Sequence, residues 1–474
     1  MSDDRRPPRH PRRGGGERRP TRVQPAREVA FTVLRAVAES DAYANLLLPR
    51  EIERSSLSSA DAGLATELAY GTLRRQGTYD AIIQLAAGRD VDDIDGPVLD
   101  ALRLGAHQLL STRVASHAAV NESVALAERA SGRGGAGFAN AVLRRISRDT
   151  PEEWHERIVS GARSDDEALG ATSSHPVWVL RALRRALKAE GRDGELAALL
   201  DADNASPTVT MAALPELATP RDPRTPYSPV GFRAASGDPE PIIRASGGTL
   251  RVQDEGSQLV ALALSRFEPV RAGERWLDLC AGPGGKTALL AAEAHVSGAS
   301  LEANELIEAR AGLVRQALSG VPGDVPVHVG DGRTFGDRHP GEFDRILVDA
   351  PCTGLGALRR RPEARWRKRP EDVAELTSLQ VDLLEHAIDA LAPGGVAAYV
   401  TCSPHLAETS GVVREVVERQ GDRIELLDAP AALQRVSRAP LDLGAREDGL
   451  PVAQLWPHRH GTDAMFLALI RRVA

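Results

Sequence analysis

A chain of 474 residues is too long for one ordinary domain, and with 42% hydrophobic and 26% charged residues it has the composition of a folded, water-soluble protein. No apolar run reaches the roughly 18 residues of a membrane helix, and the arginine-rich start lacks the apolar core of a signal peptide. Three cysteines without a C-x-x-C pair argue against a disulfide framework and a metal site, so no metal, no membrane and a reducing, cytoplasmic setting are expected.

The net charge of −7 hides two basic blocks. Residues 1–22 carry eight arginines against Asp3, Asp4 and Glu17, with Pro and Gly between them. That tail cannot bury a core and is expected to be disordered, either simply solvated or in contact with nucleic acid. Residues 23–150 read as an all-helical domain. In V-L-D-A-L-R-L-G-A-H-Q-L-L, Val98, Leu99, Leu102, Ala106, Leu109 and Leu110 fall on one face of a 3.6-residue period, and Val120, Val124 and Ala127 continue the pattern. Residues 151–250 mix helical stretches with short apolar pieces among prolines, which predicts a small α+β region and linker. From residue 251 to 474 the grammar changes. Apolar runs at 275–280, 299–302, 325–329, 343–349, 395–401 and 464–470 alternate with helical segments, which predicts an α/β domain on a parallel sheet.

Ligands of such sheets bind beyond the carboxyl ends of the strands, so the residues after each run matter most. The first run ends in D-L-C-A-G-P-G-G-K-T, Asp278 to Thr287. Gly282, Gly284 and Gly285 allow a tight turn and a close backbone approach before a helix. A phosphate-binding P-loop would need glycine at position 280, which is Cys280, and the G-x-G-x-x-G fingerprint fails at Thr287. Glu302, about 20 residues on, suits a ribose diol, and Asp331 stands after the third run. Two acids would repel phosphates, so a nucleoside without phosphates, such as S-adenosylmethionine, fits better. The fourth and fifth runs end in D-A-P-C (Asp349, Cys352) and T-C-S-P-H (Cys402, His405), which puts two thiols at consecutive strand tips. Behind Cys352, residues 358–369 hold Arg359, Arg360, Arg361, Arg365, Arg367, Lys368 and Arg369 against Glu363 alone. This block is expected to bind RNA and could lower a thiol pKa. Trp366 either stacks on a base or packs inside, and His458 and His460 are expected in a surface loop.

Together D-L-C-A-G-P-G-G-K-T, D-A-P-C-T-G-L-G, R-R-R-P-E-A-R-W and Y-V-T-C-S-P-H-L-A-E-T resemble the RNA cytosine-C5 methyltransferases of the Sun/Fmu/NOL1 (RsmB/NOP) family. The front segments A-Y-A-N-L-L-L-P, T-E-L-A-Y-G-T-L-R-R and G-F-A-N-A-V-L-R-R-I resemble the helical NusB RNA-binding domain. The resemblance implies a class I, Rossmann-like methyltransferase behind a NusB-like domain, acting on 16S ribosomal RNA, free or in an assembling small subunit; a monomer is expected. It implies that Cys280, Ala281, Gly282, Pro283, Gly284, Gly285 and Lys286 wrap S-adenosylmethionine, with Cys280 serving through its backbone. Glu302 would take the ribose, where relatives usually carry Asp, and Asp331 would lie by the adenine. Asp349 would stand between cofactor and base, Cys402 would be the nucleophile, and Cys352 would assist product release.

The chemistry explains the need for thiols. Carbon 5 of cytosine is a poor nucleophile until a thiolate adds at carbon 6. The base must also be unpaired or extruded for that attack. Two rivals are an RNA-binding or antitermination-type factor with a non-catalytic methyltransferase domain, and a transfer-RNA cytosine-C5 methyltransferase.

Overall fold

The structure, a computed structural model, describes residues 23–40, 42–234 and 239–473; the arginine-rich tail lies outside the described residues. Six helices, Pro25–Glu39, Ala44–Arg54, Ser59–Arg74, Gln76–Ala87, Gly96–Ser111 and Ser116–Ile146, build the front of the chain. Val98, Leu99, Leu102 and Ala106 are buried as their period predicts, while Leu109, Leu110 and Val124 are half-buried. Gly105 is where the last two helices touch, since a Cβ there would lie 2.6 Å from a Leu143 methyl. Beyond the expected boundary at 150, one more helix packs on the same core. Thr150 and Glu153 form a capping box that starts a helix at Pro151. That helix folds back, burying Trp154 and Ile158 in the same core, and Trp154 Nε1 donates to the Ile146 carbonyl at 3.1 Å. Thr-Pro marks the start of that helix.

The intermediate region contains helices Val177–Lys188 and Leu196–Asn204 and a three-stranded antiparallel sheet. Its strands are β1 (Thr210–Ala213), β2 (Gly231–Arg233) and β3 (Leu250–Val252), in the order β2-β1-β3. β3 crosses the expected boundary at 250. His458 and His460 join this region to the next instead of lying in a surface loop. His460 is buried and His458 half-buried: His458 Nε2 meets Glu195 at 2.8 Å, and His460 Nδ1 accepts from Trp456 N–H at 2.9 Å.

The second sheet comprises β4 (Arg275–Asp278), β5 (Ser300–Glu305), β6 (Val327–Val329), β7 (Phe343–Asp349), β8 (Leu391–Thr401), β9 (Ile424–Leu427), β10 (Ala453–Gln454) and β11 (Phe466–Arg472). Its order is β10-β11-β8-β7-β4-β5-β6, with β9 also on β11. The five strands β4 to β8 are parallel, as expected, but β11 is antiparallel to β8 and to β9. β9 leaves a gap beside β8, and β11 fills it from the opposite direction. An apolar run such as A-M-F-L-A-L-I reports burial but not direction.

The arginine block is mostly a joint, which corrects its expected role in RNA binding. Arg359 and Arg360 are buried or half-buried and clamp Asp254 and Asp463 at 2.6–3.1 Å. Arg365 is fully buried and donates to the Ser174 carbonyl and Asn204 Oδ1, both at 2.9 Å. Arg367 reaches the carbonyls of Val37 (3.2 Å) and Ala42 in the helical domain. Trp366 packs on Gly77, where a Cβ would lie 2.4 Å from its ring. Lys368 is half-buried, and only Arg361 and Arg369 of the seven basic residues are exposed. Arg365→Ala strands those acceptors and is expected to lower the urea midpoint by the equivalent of about 3 kcal/mol, checked by equilibrium unfolding.

Candidate active site

The glycine turn after β4 is held by three strand tips. Ala281 N–H donates to the Asn304 carbonyl at 2.9 Å, and Asn304 Nδ2 donates to the carbonyls of Leu279 and Gly330, each at 3.1 Å. Gly284 adopts φ 104°, a left-handed value, and caps the helix Gly285–Ser297. A Cβ there would lie 2.9 Å from Val314 Cα. Arg310 donates to the Gly282 carbonyl at 2.7 Å.

The acid that meets this turn is Glu305. It ends β5, and its Oε2 accepts from Gly282 N–H at 2.9 Å while Oε1 accepts from Ile307 N–H at 3.1 Å. Glu302 does not reach it. Glu302 sits mid-strand, paired in register with Leu277, and binds Arg275 at 2.8 Å and His328 at 2.9 Å. Burial opposes its charge, but those two partners prevail and hold its carboxyl below the usual range. The apolar run 299–302 predicts a strand end at Glu302, whereas the strand runs three residues further. Asp331 does lie at a strand tip, just beyond β6, where Arg333 holds its carboxylate at 2.7 Å.

Sequence reading also passed over Asp278. It is buried at the end of β4, and Oδ2 accepts from Thr287 Oγ1 at 2.7 Å. Burial pushes its pKa up to about 7. Among the described residues, Asp278 Oδ1 and Asn304 Oδ1 are buried without a hydrogen-bond partner. Leu306 and Ile307, 63% and 50% exposed, present apolar surface beside Glu305. Orphan acceptors, a carboxylate and an apolar shelf around a glycine turn fit the ammonium, ribose and adenine of S-adenosylmethionine.

On the other side of the rim, Lys286 Nζ donates to Asp349 Oδ2 at 2.7 Å. Burial pulls the Lys286 ammonium down, but Asp349 outweighs it and holds the pKa above the ordinary value. Beyond Asp349, Cys352 Sγ and Cys402 Sγ stand 3.5 Å apart. The pair is asymmetric. The hydrogen bond from Cys352 lowers Cys402, and Arg361 and Lys286 add to this against burial and Asp349. The same bond, burial and Glu408 push Cys352 well up. Cys280 is also pushed well above the ordinary value, first by burial.

Glu408, the acid of Y-V-T-C-S-P-H-L-A-E-T, ties both thiol loops together. It is fully buried, and Oε1 accepts from Thr353 N–H at 2.7 Å, while Oε2 accepts from Thr353 Oγ1 at 2.5 Å and Ser403 Oγ at 2.6 Å. Gln380 bridges it to the Pro351 carbonyl. Among the described residues, no group of three or more His, Cys, Asp or Glu could hold a metal, and no helix is long and apolar enough to cross a membrane.

Residues 266–471 match the family model of 16S rRNA methyltransferase RsmB/F, and residues 24–148 match that of the NusB family. The Mycobacterium tuberculosis protein Rv1407 is 47% identical over 98% of this chain and 99% of its own length. Ribosomal RNA small subunit methyltransferase B of Pseudomonas putida is 31% identical over 84% of this chain and 90% of its own. The crystal structure of PH0851 superposes with a TM-score of 0.77 over 96% of this chain and 100% of that one; at 21% identity it shows a shared fold. This chain belongs to the 16S rRNA methyltransferase RsmB/F family, as an S-adenosylmethionine-dependent RNA methyltransferase behind a helical NusB domain.

Proposed function

We propose that the protein methylates carbon 5 of a cytosine in 16S ribosomal RNA through a covalent Cys402 adduct. The carrying observation is the thiol pair, 3.5 Å apart, in which the hydrogen bond between the two sulfurs first, then Arg361 and Lys286 near Cys402 and Glu408 near Cys352, favours the thiolate at Cys402. The ribosomal substrate is supported by the relatives' names and the NusB domain. A monomer working in the cytoplasm fits that role.

In this reading Cys280 to Lys286 cradle the cofactor, Glu305 takes the ribose hydroxyls, and Asp331 lies by the adenine. When bound, S-adenosylmethionine supplies the methyl that carbon 5 accepts. Cys402, as thiolate, adds to carbon 6 and pushes the electrons of the ring double bond toward carbon 5 and nitrogen 3. Asp349, steadied by Lys286, shares a proton with nitrogen 3 and stabilises the charge gathering there. Cys352 stays protonated while it donates to the Cys402 thiolate. Once that thiolate has become a thioether, Cys352 releases its own proton to solvent, and the thiolate so formed takes the proton from carbon 5. The electrons of that C–H bond restore the ring double bond and expel Cys402.

Protein incubated with S-adenosylmethionine and 16S rRNA, then resolved under denaturing conditions, tests this. A covalent RNA adduct should accumulate with Cys352→Ala and be absent with Cys402→Ala. The reverse pattern would exchange the thiols. Neither adduct nor methylated RNA from any form would favour the RNA-binding-factor reading. Calorimetry separates the two acids: Glu305→Ala should weaken S-adenosylmethionine binding by about 10- to 100-fold, the size of lost hydrogen bonds to a charged group, and Glu302→Ala by less than about 2-fold.

A further inference from the structure

The arginine block was expected to hold RNA, yet most of it is locked inside the domain junction. What the junction leaves in solvent is different. Tyr43, in the turn before the helix Ala44–Arg54, is 50% exposed. The Arg361 guanidinium lies 5.9 Å and that of Arg367 5.2 Å from its ring centroid. Arg367 is pinned by the carbonyls of Val37 and Ala42, and Glu363 accepts from Ala44 N–H at 3.3 Å. The tyrosine of the helical domain is therefore fixed against the methyltransferase domain. Arg361, exposed, connects it to the thiols. Its N–H donates to the Ala357 carbonyl at 2.9 Å, and the neighbouring Gly356 N–H donates to the Cys402 carbonyl at 2.8 Å.

We propose that Tyr43 and Arg361 form a binding platform for the unpaired nucleotides flanking the target cytosine, built jointly by the two domains at the mouth of the thiol site. An aromatic ring beside guanidinium planes is the surface on which unstacked RNA bases settle. A guanidinium next to it can also pair with the phosphate between them. A base drawn out of its helix leaves its neighbours unstacked, so the surface meets a need that the thiol chemistry creates. This rests on the cytosine reading above. It gives the helical domain a direct part in substrate binding at the site of reaction, beyond its own RNA affinity.

The test uses the full chain and a 16S rRNA transcript, with binding measured by filter retention without methyl transfer. Tyr43→Leu should weaken binding about 10-fold, the worth of one stacked base, while Tyr43→Phe stays within about 2-fold of wild type and both keep the melting temperature. Arg361→Gln should reduce the slope of log affinity against log salt by about 0.7, one single-strand phosphate contact. Wild-type affinity in Tyr43→Leu overturns the platform. So does a weakening shared by Tyr43→Phe, which would assign the effect to the hydroxyl, or one joined to a lower melting temperature, which would assign Tyr43 to domain packing. A wild-type protein that binds the transcript and makes neither adduct nor methylcytosine sinks the proposed function, while the binding comparison still decides the platform.

Discussion

Cys402→Ala is expected to lower methylation by about 10^4-fold or more, the scale of losing a covalent nucleophile, while S-adenosylmethionine binding remains at the wild-type level. The thiol contributes no hydrogen bond to the glycine turn or to Glu305, so the cofactor rim stands without it. The loss should not depend on RNA concentration, because the missing bond forms only in the reaction. The pH dependence follows from the same pair. Cys402 is lowered first by the Cys352 hydrogen bond, then by Arg361 and Lys286. The thiolate fraction rises as pH rises through the Cys402 pKa, and a lowered pKa places that rise below the range of a free thiol, about 8.5. Cys352→Ala removes the largest lowering influence, so alkylation of Cys402 by iodoacetamide should need higher pH than in wild type. Lys286→Met should move it in the same direction. A Cys402 titration unchanged by both substitutions would separate the thiol from the neighbours assigned to it.

How far the sequence was legible depended on what each signal encodes. Helical periodicity placed Val98, Leu102 and Ala106 in the core because burial itself has that period. The glycine turn, Asp349 and the two cysteines could be placed near one rim from sequence because a parallel sheet presents its strand tips there. Glu302 was misplaced because S-L-E-A-N-E alternates too weakly to show where the strand stops; only the register against β4 and β6 puts Glu305 at the tip. The arginines misled for a different reason. A run of positive charge is the same string whether it faces a phosphate or buried carbonyls. Arg365 meets Ser174 and Asn204, and Arg359 meets Asp254 and Asp463, partners 100 to 200 residues away that only folding brings together.

Glu408 explains how the thiol pair keeps its spacing, and Glu408→Gln is expected to reduce kcat by about 10^2-fold with KM for RNA and cofactor affinity unchanged. Cys352 and Cys402 sit at the ends of two separate loops, and no covalent link holds them at 3.5 Å. Thr353 follows one cysteine and Ser403 the other, and one carboxylate accepts from both hydroxyls and from Thr353 N–H. Tyr399 donates to the Glu408 carbonyl at 2.7 Å, which fixes the clamp to β8. A carboxylate accepts on both oxygens, whereas a carboxamide accepts on one and donates from the other. Glutamine must therefore turn a donor toward at least one of these groups and shift a loop, and a shift near 1 Å at reacting atoms costs about 10^2-fold. Alanine removes every acceptor from a fully buried pocket and should cost about 3 kcal/mol or more in unfolding free energy as well. Glutamine, close in volume, should cost much less stability for its loss of kcat. Rates and urea midpoints for the two variants separate a positioning residue from a merely structural one. If glutamine loses activity only in proportion to stability, Glu408 holds the fold and something else sets the distance between the thiols.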